Sequence, residues 1–167
     1  MQTELKALLP VSWRLKWSRL FHLMHKDEQY YETKERADFF RRAFRALQFN
    51  GISGDYAEFG SCGAATFAMA HEAIRKTGGG RRLWAFDSFE GLPPQGDSRD
   101  SHPKWVAGDM MISLADFHTI CTASGLQRRD YSVVPGFYDR TLSQPATAQS
   151  ERPGDIALAY IDCDLYS

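Results

Sequence analysis

The sequence predicts an α/β domain built on a parallel sheet, and three observations support that expectation. Residues 55–87 contain an apolar run, a loop of small residues, a helical segment and a second apolar run, which make one β-loop-α-β unit. Further apolar runs and helical segments alternate toward the end of the chain. Acidic or glycine residues stand at the ends of the four apolar runs, namely Glu58, Asp87, Gly136 and Asp162. Since helical crossovers bring the carboxyl ends of parallel strands to one edge of a sheet, we expect a ligand to bind beside these residues.

The composition excludes several classes of protein. With 167 residues, 43% of them hydrophobic and 25% charged, the chain suits one globular domain with a sizeable core. A net charge of −1 gives no overall attraction to nucleic acid or to an acidic membrane. Three cysteines without C-x-x-C spacing disfavour a disulfide framework, and no apolar run reaches the roughly 20 residues that span a bilayer. We therefore expect a cytoplasmic protein with no stable membrane insertion and no nucleic-acid partner.

The first 50 residues are expected to form a helical lid or extension. Residues 1–26 carry five basic residues against the single acid Glu4, with apolar residues at helical spacing that include Trp13 and Trp17. This basic amphipathic helix is expected to pack on the domain or cover the cleft, and a membrane-surface or partner-binding helix is the alternative. A second helix is expected over about residues 34–48, where an apolar stripe ends shortly before Asn50-Gly51.

The remaining elements follow in order. The first strand ends at Glu58, a helix covers about residues 64–76, and the second strand covers residues 82–86. The aromatic and acidic content of the long loop 88–111 suggests a cleft wall, on the strength of Phe89, Glu90, Trp105 and Asp109. A third helix starts near Ser113, with Asp116 at capping-box spacing, and ends at Gly125. The third and fourth strands cover residues 131–135 and 156–161.

The small-residue loop and Asp87 favour a nucleoside-bearing ligand. Gly60 and Gly63 allow a sharp turn and a close approach of the backbone to a ligand, and the following helix directs unpaired N–H groups toward it. Asp87 ends the second strand about 20 residues after this loop, the offset at which dinucleotide-type folds place a carboxylate on ribose hydroxyls. The loop lacks the G-x-G-x-x-G order, and small residues in such loops also serve tight packing alone.

Two carboxylates close the fourth strand. Asp162 and Asp164 flank Cys163, so a buried strand would deliver both acids to the ligand-binding edge. They could bind a hard divalent cation such as Mg²⁺ or act as a general base, and a solvated turn without a chemical role is the alternative. Cys163 is expected to face inward as a small residue, because no histidine partner for a nucleophile is evident.

Three segments resemble a known family. YAEFGSCGAATFAMA, RRLWAFDSFEGLPP and GDIALAYIDCDLYS are similar to segments of the macrocin O-methyltransferase family, and GFYDRTL is similar to its segment after the third strand. These are class I S-adenosylmethionine-dependent enzymes that methylate hydroxyls on sugars of macrolide-type and related natural products. The resemblance covers about residues 54–167. It implies a Rossmann-like sandwich, a parallel sheet with helices on both faces, and a small-molecule hydroxyl acceptor, either a sugar or a polyketide-type compound.

The resemblance also implies roles for individual residues. Glu58 and the backbone of Gly60 and Ser61 would hold the methionine portion of the cofactor. Asp87 would bind the ribose hydroxyls, with Ser88 beside the nucleoside. Asp162 would be a Mg²⁺ ligand, and Asp164 would be the catalytic base that takes the proton of the acceptor hydroxyl. The metal would lower the pKa of that hydroxyl before its oxygen attacks the sulfonium methyl group.

The sequence departs from the family pattern in two respects. Residues 63–66 read GAAT where the family carries adjacent glycines. Only four of the seven strands usual in the fold are evident, and the family's further acidic metal ligands have no counterpart. We therefore expect residues 51–167 to be the N-terminal part of the cofactor-binding domain, with the C-terminal strands missing. Such a chain would expose a strand edge, could form a homo-oligomer, and would bind cofactor weakly without turnover.

Two other functions stay open at this point. A nicotinamide-dependent oxidoreductase also needs a glycine loop and a ribose carboxylate, although no Tyr-x-x-x-Lys pair or G-x-G-x-x-G loop supports it here. A non-catalytic cofactor-binding or interaction module would use the basic N-terminal helix as its working surface.

Overall fold

Four parallel strands form the sheet, in the order β3-β2-β1-β4. The strands are β1 (Asp55–Phe59), β2 (Leu83–Asp87), β3 (Tyr131–Pro135) and β4 (Ile156–Ile161). The chain builds outward from β1 through β2 to β3, and then returns to place β4 on the other side of β1. The direction of winding therefore reverses between β1 and β4, and ligands bind at such switch points in open α/β sheets.

This computed structural model describes residues 26–94, 96, 98–100, 106–143 and 152–165. The expected basic helix over residues 1–26 lies outside these residues except for its last position, and so does Trp105. The chain divides into two compact units, residues 1–38 and 39–167. All four strands belong to the second unit, and the described part of the first unit is the beginning of one long helix.

That helix, α1 (Lys26–Phe49), begins earlier than the sequence pattern predicts. The acidic stretch before residue 34 is helical, because no proline or glycine interrupts residues 26–49 and Glu32 forms an i,i+4 ion pair of 2.7 Å with Arg36. Its apolar stripe is core, as expected, at Phe40 and Phe44, whereas Phe39 is 47% exposed.

A recognisable capping residue lies at the end of the second helix and at the beginning of the third. In α2 (Ala65–Thr77) the C-cap is Gly78, which adopts the left-handed conformation and donates its N–H to the Ile74 carbonyl oxygen. In α3 (Leu114–Ala123) the Ser113 hydroxyl accepts the Asp116 N–H at 3.1 Å, which confirms the predicted cap. The fourth helix, α4 (Tyr138–Thr141), is a single turn that is too short for periodicity to predict.

An aromatic core covers one face of the sheet. Tyr56 of β1 contacts Phe40 and Phe44 of α1 at ring-centroid distances of 5.8 Å each, and Phe67 of α2 at 6.2 Å. The opposite face carries a smaller cluster of Ala57, Trp84 and Phe86, against which Phe59, Val134 and Tyr138 pack. Side chains alternate between faces along each strand, so Tyr56 and Glu58 share the first face and Ala57 and Phe59 share the second.

The outer edge of β4 is unpaired among the described residues. Ile161, the last residue of this strand, is 73% exposed, whereas the central strands β1 and β2 are largely buried. The α/β architecture with a parallel sheet agrees with the sequence prediction. In the described part of the chain, no helix is both long and apolar enough to cross a membrane.

Candidate active site

A cavity of about 480 Å³ opens at the carboxyl ends of all four strands. Each strand contributes through the residues that follow it, which include Gly60 after β1, Ser88 after β2, Gly136 after β3 and Asp162 after β4. A proline- and glycine-rich part of the long loop supplies a further wall. The cavity therefore lies at the edge where the sequence predicts a ligand, next to the switch point between β1 and β4.

Gly60 lets the chain turn out of β1 close to the end of β4. Its φ is +86°, and a Cβ at this position would lie 3.0 Å from the carbonyl carbon of Asp162 and closer still to its oxygen. The Gly60 N–H donates to the Phe86 carbonyl oxygen at 3.0 Å, and the Asp162 N–H donates to the Phe59 carbonyl oxygen at 2.9 Å. Any larger residue would push β1 and β4 apart at the cavity.

Asp87 holds two loops at the cavity wall. Its Oδ2 accepts the Ser61 backbone N–H at 2.9 Å, and its Oδ1 accepts the Phe89 backbone N–H at 2.8 Å. A carboxylate has about four lone-pair sites, so each oxygen of Asp87 can accept one more hydrogen bond, for example from a ligand hydroxyl. Asp87 also lines the cavity, as a ribose-binding residue must.

Glu58 does not line the cavity. Its side chain is 0% exposed and lies on the aromatic-core face, where Tyr56 donates a short hydrogen bond to Oε2 and Thr66 donates one of 2.8 Å to Oε1. Burial raises the pKa of Glu58 to about 7, although the two hydroxyl donors act in the opposite direction. Direct contact with the methionine portion of a cofactor, which the family resemblance implies for Glu58, stays a prediction.

The two predicted serines occupy different positions. Ser61 is fully buried, and its Oγ has no hydrogen-bond partner among the described residues. Ser88 lines the cavity, and its hydroxyl donates to the Gly91 carbonyl oxygen at 2.9 Å while accepting the Glu90 N–H at 3.1 Å. Ser88 thus shapes the first turn of the long loop, and its other lone pair can accept from a ligand.

The long loop does form a cavity wall, but Phe89, Glu90 and Asp109, on which that expectation partly depended, do not line it. Phe89 adopts a positive φ of 58° and points into the core, where its ring lies 5.3 Å from that of Phe117. Leu92 and Gly108 close the base of the loop, because Leu92 N–H donates to the Asp109 carbonyl and Gly108 N–H donates to the Leu92 carbonyl. The wall itself is mainly apolar and consists of Gly91, Leu92, Pro93, Pro94, Gly96 and Met110.

Negative charge dominates the cavity. Among the described residues, four carboxylates line it, against a single guanidinium from Arg140. The carboxylates belong to Asp87, Asp139, Asp162 and Asp164. In a partly enclosed site of reduced dielectric this arrangement attracts a cationic ligand and repels a polyanion.

Asp162 and Asp164 both reach the cavity, as the sequence predicts, but they do not make a metal site by themselves. Within the residues that the structure describes, no group of three or more His, Cys, Asp and Glu side chains could hold a metal ion. Mg²⁺ is usually bound through one or two carboxylates together with water and substrate oxygens, so Asp162 and Asp164 alone do not distinguish a metal site from two solvated acids. The residues present therefore do not support the magnesium expectation, and we derive no step through a metal.

Two thiols line the cavity. Cys163 is exposed rather than inward-facing, which corrects the expectation from the sequence, since the chain has already left β4 at this residue. Burial and the nearby carboxylates raise the pKa of Cys62 and of Cys163 above the usual range of a thiol. Both side chains are thus protonated near neutral pH, which disfavours a nucleophilic role.

The sequence predicts no site residue between Gly136 and β4, yet Phe137 and the first three residues of α4, at positions 138–140, all line the cavity. Tyr138 packs edge-on against Phe59, and its hydroxyl donates to the Phe86 carbonyl oxygen at 3.3 Å. The signal was present in the GFYDRTL segment, because an aromatic pair directly after Gly136 stands at the carboxyl end of a predicted parallel strand.

A family model described as Macrocin-O-methyltransferase (TylF) matches residues 31–167. The chain belongs to the macrocin O-methyltransferase family. The match confirms the resemblance and extends it to part of α1, upstream of the motifs that first indicated it. None of the curated protein sequences matches the chain significantly.

Two solved structures show the same fold as this member of the macrocin O-methyltransferase family. The O-methyltransferase NovP is similar with a TM-score of 0.60 and 22% identity, over 78% of this chain and 54% of NovP. The calicheamicin methyltransferase CalS11 is similar with a TM-score of 0.60 and 22% identity, over 98% of this chain and 65% of CalS11. The chain thus spans between half and two thirds of the length of either structure. These likenesses confirm the predicted Rossmann-like fold class.

Proposed function

We propose that the protein is an S-adenosylmethionine-dependent O-methyltransferase whose acceptor is a hydroxyl of a sugar or another natural product. The observation that carries this proposal is the acidic cavity at the β1/β4 switch point, to which the described part of the chain contributes four carboxylates and one guanidinium. A sulfonium cofactor is a cation, and such a lining attracts it. The family membership supplies the reaction class.

The residues present fit this cofactor. Asp87 retains free lone pairs toward the cavity for ribose hydroxyls, and Ser88 lies directly beside it. The Gly60 turn brings the backbone of β1 against the end of β4, and nothing would lie within 4 Å of a Cβ at Gly63, so the loop leaves space around it. The buried hydroxyl of Ser61 lacks a partner among the described residues, which suits a loop that settles around a ligand. When bound, the cofactor would supply a methyl group activated by positive sulfur.

Asp164 is the residue that we assign as the base. Its exposed carboxylate lines the cavity just beyond β4, where it can accept the proton of an acceptor hydroxyl. The apolar wall of Leu92, Pro93 and Met110 can hold the acceptor and exclude water from the reacting oxygen. The proposal requires no acid catalyst, because the departing sulfur becomes neutral.

Asp162 enters the proposal as a cavity carboxylate without an assigned metal. NovP is an O-methyltransferase and CalS11 is a calicheamicin methyltransferase, which supports a natural-product acceptor for this chain as well. We propose a small-molecule partner in a cytoplasmic setting. A role for Mg²⁺ beside Asp162 stays a prediction from the family resemblance.

A nicotinamide-dependent oxidoreductase is disfavoured by the same electrostatics. The pyrophosphate of a dinucleotide would enter a cavity with an excess of carboxylates, and repulsion between these negative charges is unfavourable. The loop after β1 also lacks the G-x-G-x-x-G order, since its glycines are Gly60 and Gly63.

Thermal unfolding with and without S-adenosylhomocysteine tests the proposal, with NAD as the comparison ligand. A ligand that binds only the native state raises the unfolding midpoint, by an amount that grows with its concentration above Kd. We expect S-adenosylhomocysteine to raise the midpoint and NAD to leave it unchanged. Glu90→Gln is a control that should respond to both ligands as the wild type does, because Glu90 is exposed on the same loop as Ser88 and does not line the cavity. A rise of the midpoint with NAD alone would overturn the proposal, and so would the absence of a rise with either ligand.

A further inference from the structure

We infer that Glu58 is a positioning residue that fixes the cofactor loop through Thr66, without touching the cofactor itself. This inference rests on the proposed function, since it concerns the loop that would receive S-adenosylmethionine. It differs from the direct contact with methionine that the family resemblance implies for Glu58.

The contacts of Glu58 join two elements. Glu58 belongs to β1, and Thr66 is the second residue of α2, so their 2.8 Å hydrogen bond spans the loop between strand and helix. Tyr56 occupies the other oxygen of the carboxylate, and its ring is held among the aromatic side chains of the core. The carboxylate is therefore fixed on one side by the core and fixes the start of α2 on the other.

A second hydrogen bond holds the opposite end of the loop. Ser61 N–H donates to Asp87 at 2.9 Å, so the beginning of the loop is bound to β2 while its end is bound to β1 through Glu58. Two carboxylates from neighbouring strands thus hold residues 61–66. Between these two hydrogen bonds, Gly63 and Ala64 adopt positive φ. An alanine keeps this conformation only where the surrounding structure imposes it.

Burial argues against a direct contact with ligand. The Glu58 side chain is 0% exposed and faces the core cluster, whereas the cavity lies beyond the ends of the strands. Both oxygens already accept hydroxyl donors, and releasing either donor in the core would leave a buried polar group unsatisfied. To reach a ligand in the cavity, the buried side chain would have to leave the core and give up both bonds, whereas positioning the loop keeps them.

Several titratable side chains interact with Glu58. Asp87 at the end of β2 and Asp162 after β4 both raise its pKa by repulsion, Tyr56 donates to it, and Cys121 of α3 also faces it. Thr66 is the uncharged contact from α2.

The test measures the affinity of two ligands for a small set of variants. S-adenosylhomocysteine carries the amino-acid portion, and 5′-methylthioadenosine lacks it. If Glu58 acts through the loop, Thr66→Val weakens both ligands by a similar factor, on the order of tenfold, and Thr66→Ser restores affinity. Glu58→Gln should weaken both ligands as well, and the double variant should lose little more than either single one.

The opposite results would overturn the inference. Glu58→Gln weakening S-adenosylhomocysteine alone, with Thr66→Val unchanged, would make Glu58 a direct ligand of the amino-acid portion. Unchanged affinity in both variants would show that the hydrogen bond between Glu58 and Thr66 has no effect on binding. Glu58→Asp and Thr66→Ser, which keep the charge or the hydroxyl, guard against a loss of fold, and unfolding curves verify each variant. Failure of the wild-type protein to bind S-adenosylhomocysteine would instead overturn the proposed function, and this inference with it.

Discussion

The backbone N–H of Ser61 donates a 2.9 Å hydrogen bond to Oδ2 of Asp87, which joins the loop after β1 to the end of β2. The second oxygen of the same carboxylate accepts the Phe89 N–H and so holds the start of the long loop. One side chain thereby organises two walls of the cavity while keeping lone pairs free on its open side.

Asp87→Asn should therefore weaken both the fold and ligand binding. The amide is neutral and has a single acceptor oxygen, so one of the two backbone N–H groups loses its acceptor and the other keeps only an uncharged one, at a cost of about 1–3 kcal/mol in the free energy of unfolding. Denaturant unfolding and S-adenosylhomocysteine titration measure the two effects. Glu90→Gln should change the free energy of unfolding by no more than about 0.5 kcal/mol. Equal stability of the Asn variant and wild type would contradict the structural role of this carboxylate.

Gly60→Ala should be far more destabilising than Gly63→Ala. Both glycines have positive φ, so either alanine bears a left-handed strain of about 1–2 kcal/mol. A Cβ at Gly60 would also collide with the Asp162 carbonyl group, whereas a Cβ at Gly63 would have nothing within 4 Å. We expect Gly60→Ala to lose more than about 3 kcal/mol of unfolding free energy, in the range of strongly destabilising substitutions. Similar losses in the two variants would show that the close approach of β1 and β4 carries no weight.

Stability should fall with rising pH in a way that depends on Glu58. The pKa of Glu58 is raised to about 7 by burial, above its value of 4.5 in the unfolded chain, so the native state retains a proton that the unfolded state has lost. The stabilisation from this proton is complete below about pH 4.5, declines as the pH rises, and is gone above about pH 7. At about 1.4 kcal/mol per pKa unit, it amounts to roughly 3 kcal/mol.

Glu58→Gln should lack this decline, because glutamine does not titrate. Urea unfolding of both proteins between pH 4.5 and 8 measures the difference, and the curve of the wild type should drop relative to that of the variant. Parallel curves would mean that Glu58 titrates alike in the native and unfolded chains.

Ile161→Lys should reduce self-association without unfolding the protein. Ile161 lies on β4, whose outer edge is unpaired among the described residues, and a charge on an edge strand opposes pairing with a second chain. Light scattering or sedimentation would measure the effect. Phe49→Lys is the matched control, since Phe49 is 90% exposed but ends a helix. An equal reduction in both variants would indicate general surface hydrophobicity rather than edge pairing.

The sequence predicted the positions of the strands well, because each strand is a short apolar run bounded by polar or glycine residues. The third and fourth strands coincide with residues 131–135 and 156–161, and the second is displaced by one residue. The location of the candidate site followed from topology, since the carboxyl ends of parallel strands converge, whereas Ser88 and the Gly60 backbone were named from the family resemblance. Gly60, Asp87, Ser88, Asp162 and Asp164 accordingly all line the cavity.

The directions of individual side chains were harder to predict. Glu58 ends an apolar run, which suggests an exposed functional residue, yet strand alternation places it on the same face as Tyr56 and therefore in the core. Phe89 turns into the core because its backbone adopts a positive φ, which periodicity does not reveal. The closure of the long loop depends on hydrogen bonds that join Leu92 to Gly108 and Asp109, which lie far from it in the sequence, so no local pattern encodes it.

The register of β4 against β1 has a consequence for the order of folding events. Position 55 pairs with position 156, and Gly60 approaches Asp162, so the cavity closes only when the two most distant strands of the sequence have met. Contacts of such high sequence separation form late, because the intervening chain must first be brought together. Cofactor binding should then appear at the end of refolding, and bound cofactor should slow unfolding much more than it accelerates folding.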